Sequence, residues 1–173
     1  MKKVLVIAFT IFCSLLPSYA QSRISTTNWK TCSTAQYSIK YPSNWERSIN
    51  GTQVIFMQHR INDYDFMPSV NIIVENRKRT ESTYYLAQGT YDKMKNLGIT
   101  VGSASINSVS VAGLSGHSWS CNIMMNGFNL YEIQYIIKKS DNTTFIISAM
   151  VETNKKSTQL KIVDTMLSTL SIN

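Results

Sequence analysis

Two histidines, three cysteines and ten acidic residues in a chain of 173 leave little material for catalysis. A zinc site built on several imidazoles cannot be assembled, and no His-Glu-x-x-His string occurs. The run Gly113-Leu114-Ser115-Gly116-His117 imitates a nucleophile elbow only superficially. That motif needs glycine two residues after the serine and a helix beyond it, whereas here glycine follows at once and a strand is expected next. The acids are scattered, so the facing carboxylate pair of a glycoside hydrolase is not indicated. Beyond residue 20 no apolar run is long enough to cross a bilayer. Internal repeats and low-complexity segments are missing too. These gaps exclude most motif-borne reactions and leave an address, a fold class and a preference for binding.

The address is written in residues 1–20. Lys2 and Lys3 precede an apolar run from Val4 to Leu16, and Pro17 then leads to Ser18-Tyr19-Ala20, where small residues suit signal peptidase. As a helix that run rises only about 20 Å against a hydrocarbon core of roughly 30 Å. A cleaved signal peptide is therefore expected, with the mature protein periplasmic or secreted and without a transmembrane segment. Its loss removes two of the 17 basic residues and leaves a net charge of +5 against the ten acids. The excess is dispersed over Arg77-Lys78-Arg79, Lys138-Lys139 and Lys155-Lys156. Nucleic-acid binders gather such charge on one face, so no nucleic acid is expected. Cys32 and Cys121 remain, and an oxidising compartment permits them to pair. A bridge between them is favoured over two separate buried thiols. It would close a loop of about 90 residues and add roughly 4 kcal/mol in the chain-entropy picture.

Residues 21–36 read as an irregular lead-in, and one domain is expected over 37–173. Tyr37, Ile39 and Tyr41 alternate with polar residues as a strand with one buried face; Pro42 ends it and Trp45 folds back as an apolar plug. Asn50-Gly51 predicts a turn before a strand at Val54–Met57, and Val70, Ile72 and Val74 mark another. Tyr84, Ala87, Tyr91, Met94 and Leu97 then recur at steps of three and four, predicting a helix capped by Ser82 and ended by Gly98. Gly89 sits inside it at a cost of about 1 kcal/mol relative to alanine. From Ile106 to Val151 a meander of strands is expected. Leu160, Val163, Leu167 and Leu170 predict a closing helix capped by Ser157.

The hairpin at Asn126-Gly127 invites a choice of register. A three-residue loop with a glycine bulge would set Trp119 against Ile133 and Cys121 against Tyr131, sorting apolar from polar residues. That register is the expected one.

Candidate sites are few. His117 shares strand parity with Trp119 and Cys121, which predicts a packed, hydrogen-bonded histidine. It lies about 13 Å along the strand from Cys121, too far to activate that thiol. His59, Asp63 and Asp65 form the densest polar cluster, with too few oxygens for calcium and no glycine to wrap the chain, so a solvated turn is favoured. With Arg60, Tyr64 and Phe66 the same loop is the first choice for partner contact. No catalytic, metal or cofactor-binding residue is assigned. An apolar-ligand cavity lined by Tyr84, Tyr91, Met94 and Trp119 is the less favoured alternative to an ordinary core.

The opening Tyr37-Ser38-Ile39-Lys40-Tyr41-Pro42-Ser43-Asn44-Trp45, the Val111-Ala112-Gly113 step into the meander and the closing Thr169-Leu170-Ser171-Ile172 together resemble the PsbP/Mog1-like superfamily. Asn44 stands where glycine is common in that superfamily. The resemblance implies an α+β fold, an α/β/α sandwich around an antiparallel sheet. It also implies a mostly non-catalytic role, since members include photosystem accessory subunits, a small-GTPase binding factor and exported bacterial proteins. No cofactor and no catalytic residue come with it. The expected function is an exported binding or accessory module that recognises an envelope protein or a small ligand. A hydrolase acting on an envelope polymer is the alternative.

Overall fold

The computed structural model describes residues 24–60, 62, 65–96 and 100–173. The expected signal peptide, Asp63, Tyr64, Leu97 and Gly98 lie outside the described residues.

Order begins earlier than the alternating pattern at Tyr37 suggests. Lys30–Ser33 forms a first strand, β1, which pairs antiparallel with β2, Tyr37–Tyr41, with Cys32 opposite Ile39. The Thr34 hydroxyl accepts hydrogen bonds from the amides of Gln36 and Tyr37, which turns the chain between them. Cys32 is the one inward residue of β1, too sparse a signal to stand out in a Ser/Thr-rich stretch.

The strands that follow are β3 (Trp45–Asn50), β4 (Gln53–Gln58) and β5 (Ser69–Glu75). Helix α1 covers Thr83–Asn96, and its first turn is capped at Ser82, whose hydroxyl accepts from the Tyr85 amide. Next come β6 (Thr100–Val101), β7 (Ser105–Val111), β8 (Leu114–Met125), β9 (Phe128–Ser140) and β10 (Thr143–Glu152). A 3-10 turn over Thr153–Lys155 leads into α2, Lys156–Ser168, and β11, Ser171–Ile172, ends the chain. The expected Ser157 cap is not formed. The 3-10 turn takes the chain straight into the helix two residues earlier, so the N-cap is Lys155, without a side-chain bond.

The strands form two sheets instead of the one expected. β1, β2 and β11 make a small sheet; the large one runs β3-β4-β5-β10-β9-β8-β6, with β7 also on β8. All the pairings are antiparallel. One face of the large sheet packs against the small sheet and α2, in a core that joins Tyr37, Phe56, Phe145, Ile147 and Met166. The other face carries α1, whose Ala87 packs with Trp119, Ile123, Leu130 and Ile136. The result is the expected α+β sandwich, with a small sheet added to the α2 layer.

Covering both faces overturns the expected hairpin register. Trp119 lies opposite Gln134 and Cys121 opposite Glu132, and Met125 pairs with Phe128 across a two-residue turn. Trp119 and Ile133 thus point to opposite faces. Asn126 (φ 51°) and Gly127 (φ 81°) are both left-handed, the backbone of a type I′ turn. Sorting by polarity assumed one wet face. Here each face is largely buried, and turn chemistry sets the register.

The disulfide also falls. Cys32 and Cys121 are free, buried thiols. Cys32 belongs to the core between the sheets and Cys121 to the core under α1, so the large sheet separates them.

The turn between β7 and β8 is strained by its first residue: Ala112 is left-handed (φ 52°) beside Gly113 (φ 77°). Alanine adopts that region at a cost of roughly 1–2 kcal/mol, part of which glycine returns through a more flexible unfolded chain. Ala112→Gly is therefore expected to stabilise the protein by about 0.5–1 kcal/mol, read as a higher urea midpoint. A midpoint unchanged or lowered would contradict the strain.

Candidate functional site

Three segments meet at one end of the large sheet: the β4–β5 loop, the tip of the β8–β9 hairpin, and the junction of β10 with α2. Phe66 from the loop packs on Phe128 from the hairpin, ring centroids 5.8 Å apart and tilted by 54°. Beside Phe128 lies a cleft of about 570 Å³, with Ile123 as apolar floor and Asn122, Asn129, Thr153 and Asn154 around it. Glu152 lines this cleft and pairs with Lys155 at 2.6 Å. The hydrogen bond from that pairing raises the Lys155 ammonium above its ordinary value.

Lys155 and Gln159 also line a second cleft of about 250 Å³, against His59, Arg60, Asp65 and Phe66. Four of the six loop residues singled out from sequence therefore come together here. The other two, Asp63 and Tyr64, lie outside the described residues. His59 Nδ1 lies 2.8 Å from Glu46 Oε1, and Asp65 accepts from the Asn62 amide at 3.0 Å. Their polar atoms are turned to local partners and do not converge on a common point; no group of three or more His, Cys, Asp or Glu fit to hold a metal occurs among the described residues. Sequence reasoning missed Phe128, Thr153, Asn154, Lys155 and Gln159. The Asn-Gly turn places Phe128 at a tip, but its neighbour follows only from the order β5-β10-β9-β8.

The remaining reactive groups are spent on structure. The His117 ring meets the Thr83 hydroxyl at 2.7 Å and Tyr84 edge-on at 5.6 Å, the packed, bonded role expected of it. Burial, with the neighbouring Glu132 charge second, pushes the Cys121 thiol up to about 11, far from an activated thiolate. Glu132, 5% exposed, is lifted by burial to about 7, and its Oε2 has no hydrogen-bond partner. Its cross-strand neighbours are Cys121 and Met150, and neither is a carboxylate. Tyr91, Met94 and Trp119 are core: Tyr91 donates to the Gly102 carbonyl, and the Trp119 indole to the Thr90 hydroxyl. Tyr84 is 44% exposed. None of the four lines either cleft. Among the described residues no helix is long and apolar enough to cross a membrane.

No family model and no curated protein matches the chain in sequence. Solved structures do match it in shape. The cyanobacterial PsbP, CyanoP, from Synechocystis sp. PCC 6803 superposes with a TM-score of 0.64 at 11% identity, over 91% of this chain and 99% of its own. The Ran-binding protein Mog1p of Saccharomyces cerevisiae gives 0.58 at 12% identity, over 84% and 95%. LpqN of Mycobacterium tuberculosis, described as involved in cell envelope biogenesis, gives 0.57 at 13% identity, over 84% and 90%. With its antiparallel strands and two flanking helices, the chain has the Mog1/PsbP-like fold.

Proposed function

We propose that the protein is an exported, non-catalytic binding or accessory module. It recognises an envelope protein, or a small ligand, through the end of the sheet where the β4–β5 loop, the hairpin tip and the β10–α2 junction converge. The observation that carries this reading is the Phe66–Phe128 contact, which fuses two clefts of about 570 and 250 Å³ into one loop-built surface. Half-buried aromatics rimmed by amides and a charged pair are the composition of contact surfaces more than of reaction centres. A hydrolase, the alternative, draws no support from Glu132, a shielded acid whose cross-strand neighbours, Cys121 and Met150, are not carboxylates. Two structural relatives are described by what they bind or serve, Ran in one case and envelope biogenesis in the other. The first description favours a macromolecular partner.

Replacing Phe128 with a photo-crosslinking phenylalanine analogue tests the surface. Irradiation in the native envelope is expected to give one dominant protein adduct. The same analogue at Ile49, which is 56% exposed on β3, is expected to give none. Equal adducts from both positions, or none from position 128, would count against the loop end as the contact surface.

A further inference from the structure

A third concavity, of about 200 Å³, lies between α1 and strands β9 and β10 and shares no lining residue with the two clefts. Its floor is apolar, formed by Ile136 and Ile146. Thr144 stands beside them, only 1% exposed, and its hydroxyl has no hydrogen-bond partner. A buried, unpartnered hydroxyl beside a cavity is a polar handle awaiting a ligand atom. On the helix side Tyr85 is 69% exposed, yet its ring is braced edge-on by Tyr84, which is braced in turn by His117.

Gly89 supplies an independent observation. Glycine weakens a helix interior, and a packing constraint is the usual reason to keep one. Here a Cβ at position 89 would meet nothing within 4 Å, so no neighbour requires the glycine. What it does provide is clearance along the groove wall. Charge completes the picture. Arg79 is held by Glu75 at 2.6 Å with Glu81 at 4.0 Å, while Lys93 has no ion pair among the described residues. The groove therefore presents one unanswered cation, one unanswered hydroxyl and an aromatic wall over an aliphatic floor.

We propose that this groove binds a small single-ring aromatic acid. The ring lies between Tyr85 and the isoleucine floor beside Gly89, the carboxylate meets Lys93, and a polar substituent reaches the Thr144 hydroxyl. At about 200 Å³ the groove is smaller than the usual drug-sized site, which suits a single ring and its substituents.

The probe is 4-hydroxyphenylacetate, with tyramine as a control of the same ring and opposite charge, both followed by amide chemical shifts. The acid is expected to move the Gly89, Thr144 and Ile146 amides saturably, and tyramine to bind at least tenfold more weakly. Lys93→Gln is expected to weaken the acid about three- to tenfold. Gly89→Leu is expected to abolish binding while the melting temperature holds or rises by about 2 °C, since the side chain projects into open space. Absence of saturable shifts, shifts confined to the loop end, tyramine binding as tightly as the acid, or undiminished binding in Gly89→Leu would each overturn the assignment. None of these outcomes touches the crosslinking at Phe128, so the two sites stand or fall separately.

Discussion

Glu132→Gln is expected to remove a fall in stability that the parent protein undergoes between about pH 4.5 and 7. Burial lifts this carboxyl from its ordinary 4.5 to about 7 in the folded protein. Between those values the folded state keeps a proton that the unfolded chain releases. The contribution of Glu132 to stability therefore declines as pH rises through the window and is level on either side. A shift of that size corresponds to roughly 3 kcal/mol in total. Burial is the cause of the shift, with no charged group offsetting it among the described residues; Cys121 and Met150 flank Glu132 across the strands, Leu130 and Gln134 along its own. The Cys121 thiol, pushed up to about 11, stays neutral throughout. Glutamine introduces its own unpartnered amide, but that cost does not depend on pH. The quantity to compare is thus the parent-to-variant difference in urea-unfolding free energy at pH 8 and at pH 4.5. It should move in the variant's favour by up to roughly 3 kcal/mol. If it is the same at both ends, Glu132 is not held protonated by the fold.

A second large effect is expected at Gly116. This residue, at the start of β8, lies opposite Ile137 on β9. A Cβ there would stand 2.2 Å from the Ile136 carbonyl oxygen and 2.6 Å from Ile137 Cγ2. The carbonyl is part of the strand backbone and cannot swing aside, so β8 and β9 would have to part. Gly116→Ala is expected to cost about 3 kcal/mol, at the upper end for one added methyl in a packed core. A melting temperature lower by roughly 6–12 °C would report it. Ser115→Ala, at an exposed neighbour, is the control and should change little. A loss below about 0.5 kcal/mol at Gly116 would mean that the strands have more room than this register gives them. The glycine that makes Gly113–His117 imitate a nucleophile elbow is thus explained by close strand packing.

Much of the fold is legible in the sequence where one physical demand dominates. Tyr37, Ile39 and Tyr41, and later Val70, Ile72 and Val74, alternate because every second residue meets the core between the sheets, and each of the six is buried. Trp45 is 3% exposed, the plug its position after Pro42 implied. Helix α1 follows its three-and-four pattern to within a residue at the start, with Ser82 as its cap. Reading fails where two demands compete. The β8–β9 register is set by an Asn-Gly turn whose two left-handed residues fit only a two-residue connection. The polar residues this carries inward are accommodated individually: Gln134 donates to the Ser148 hydroxyl at 2.9 Å, and burial lifts the Glu132 carboxyl to about 7. Two-residue β11 carries no periodicity at all. The candidate site was half legible, because a polar loop with aromatics announces itself locally. That Phe66 would meet Phe128, 62 positions later, depends on sheet order, which no local pattern encodes.

The small sheet links the two ends of the domain in a way that bears on how the chain is made. Strand β2 has β1 on one edge, complete almost as soon as it is synthesised, and β11 on the other, with Ile172 opposite Tyr37. The Lys40 amide bonds the Thr169 hydroxyl 129 positions away, the Asn173 amide bonds the Gln36 carbonyl, and Lys139 Nζ donates to the Asn173 carbonyl. That second edge stays bare until the last residues of the chain have emerged. An unpaired edge is a template for another chain. Residues 171–173 therefore act as a late clasp, and a polypeptide clipped just before them carries a standing invitation to aggregate.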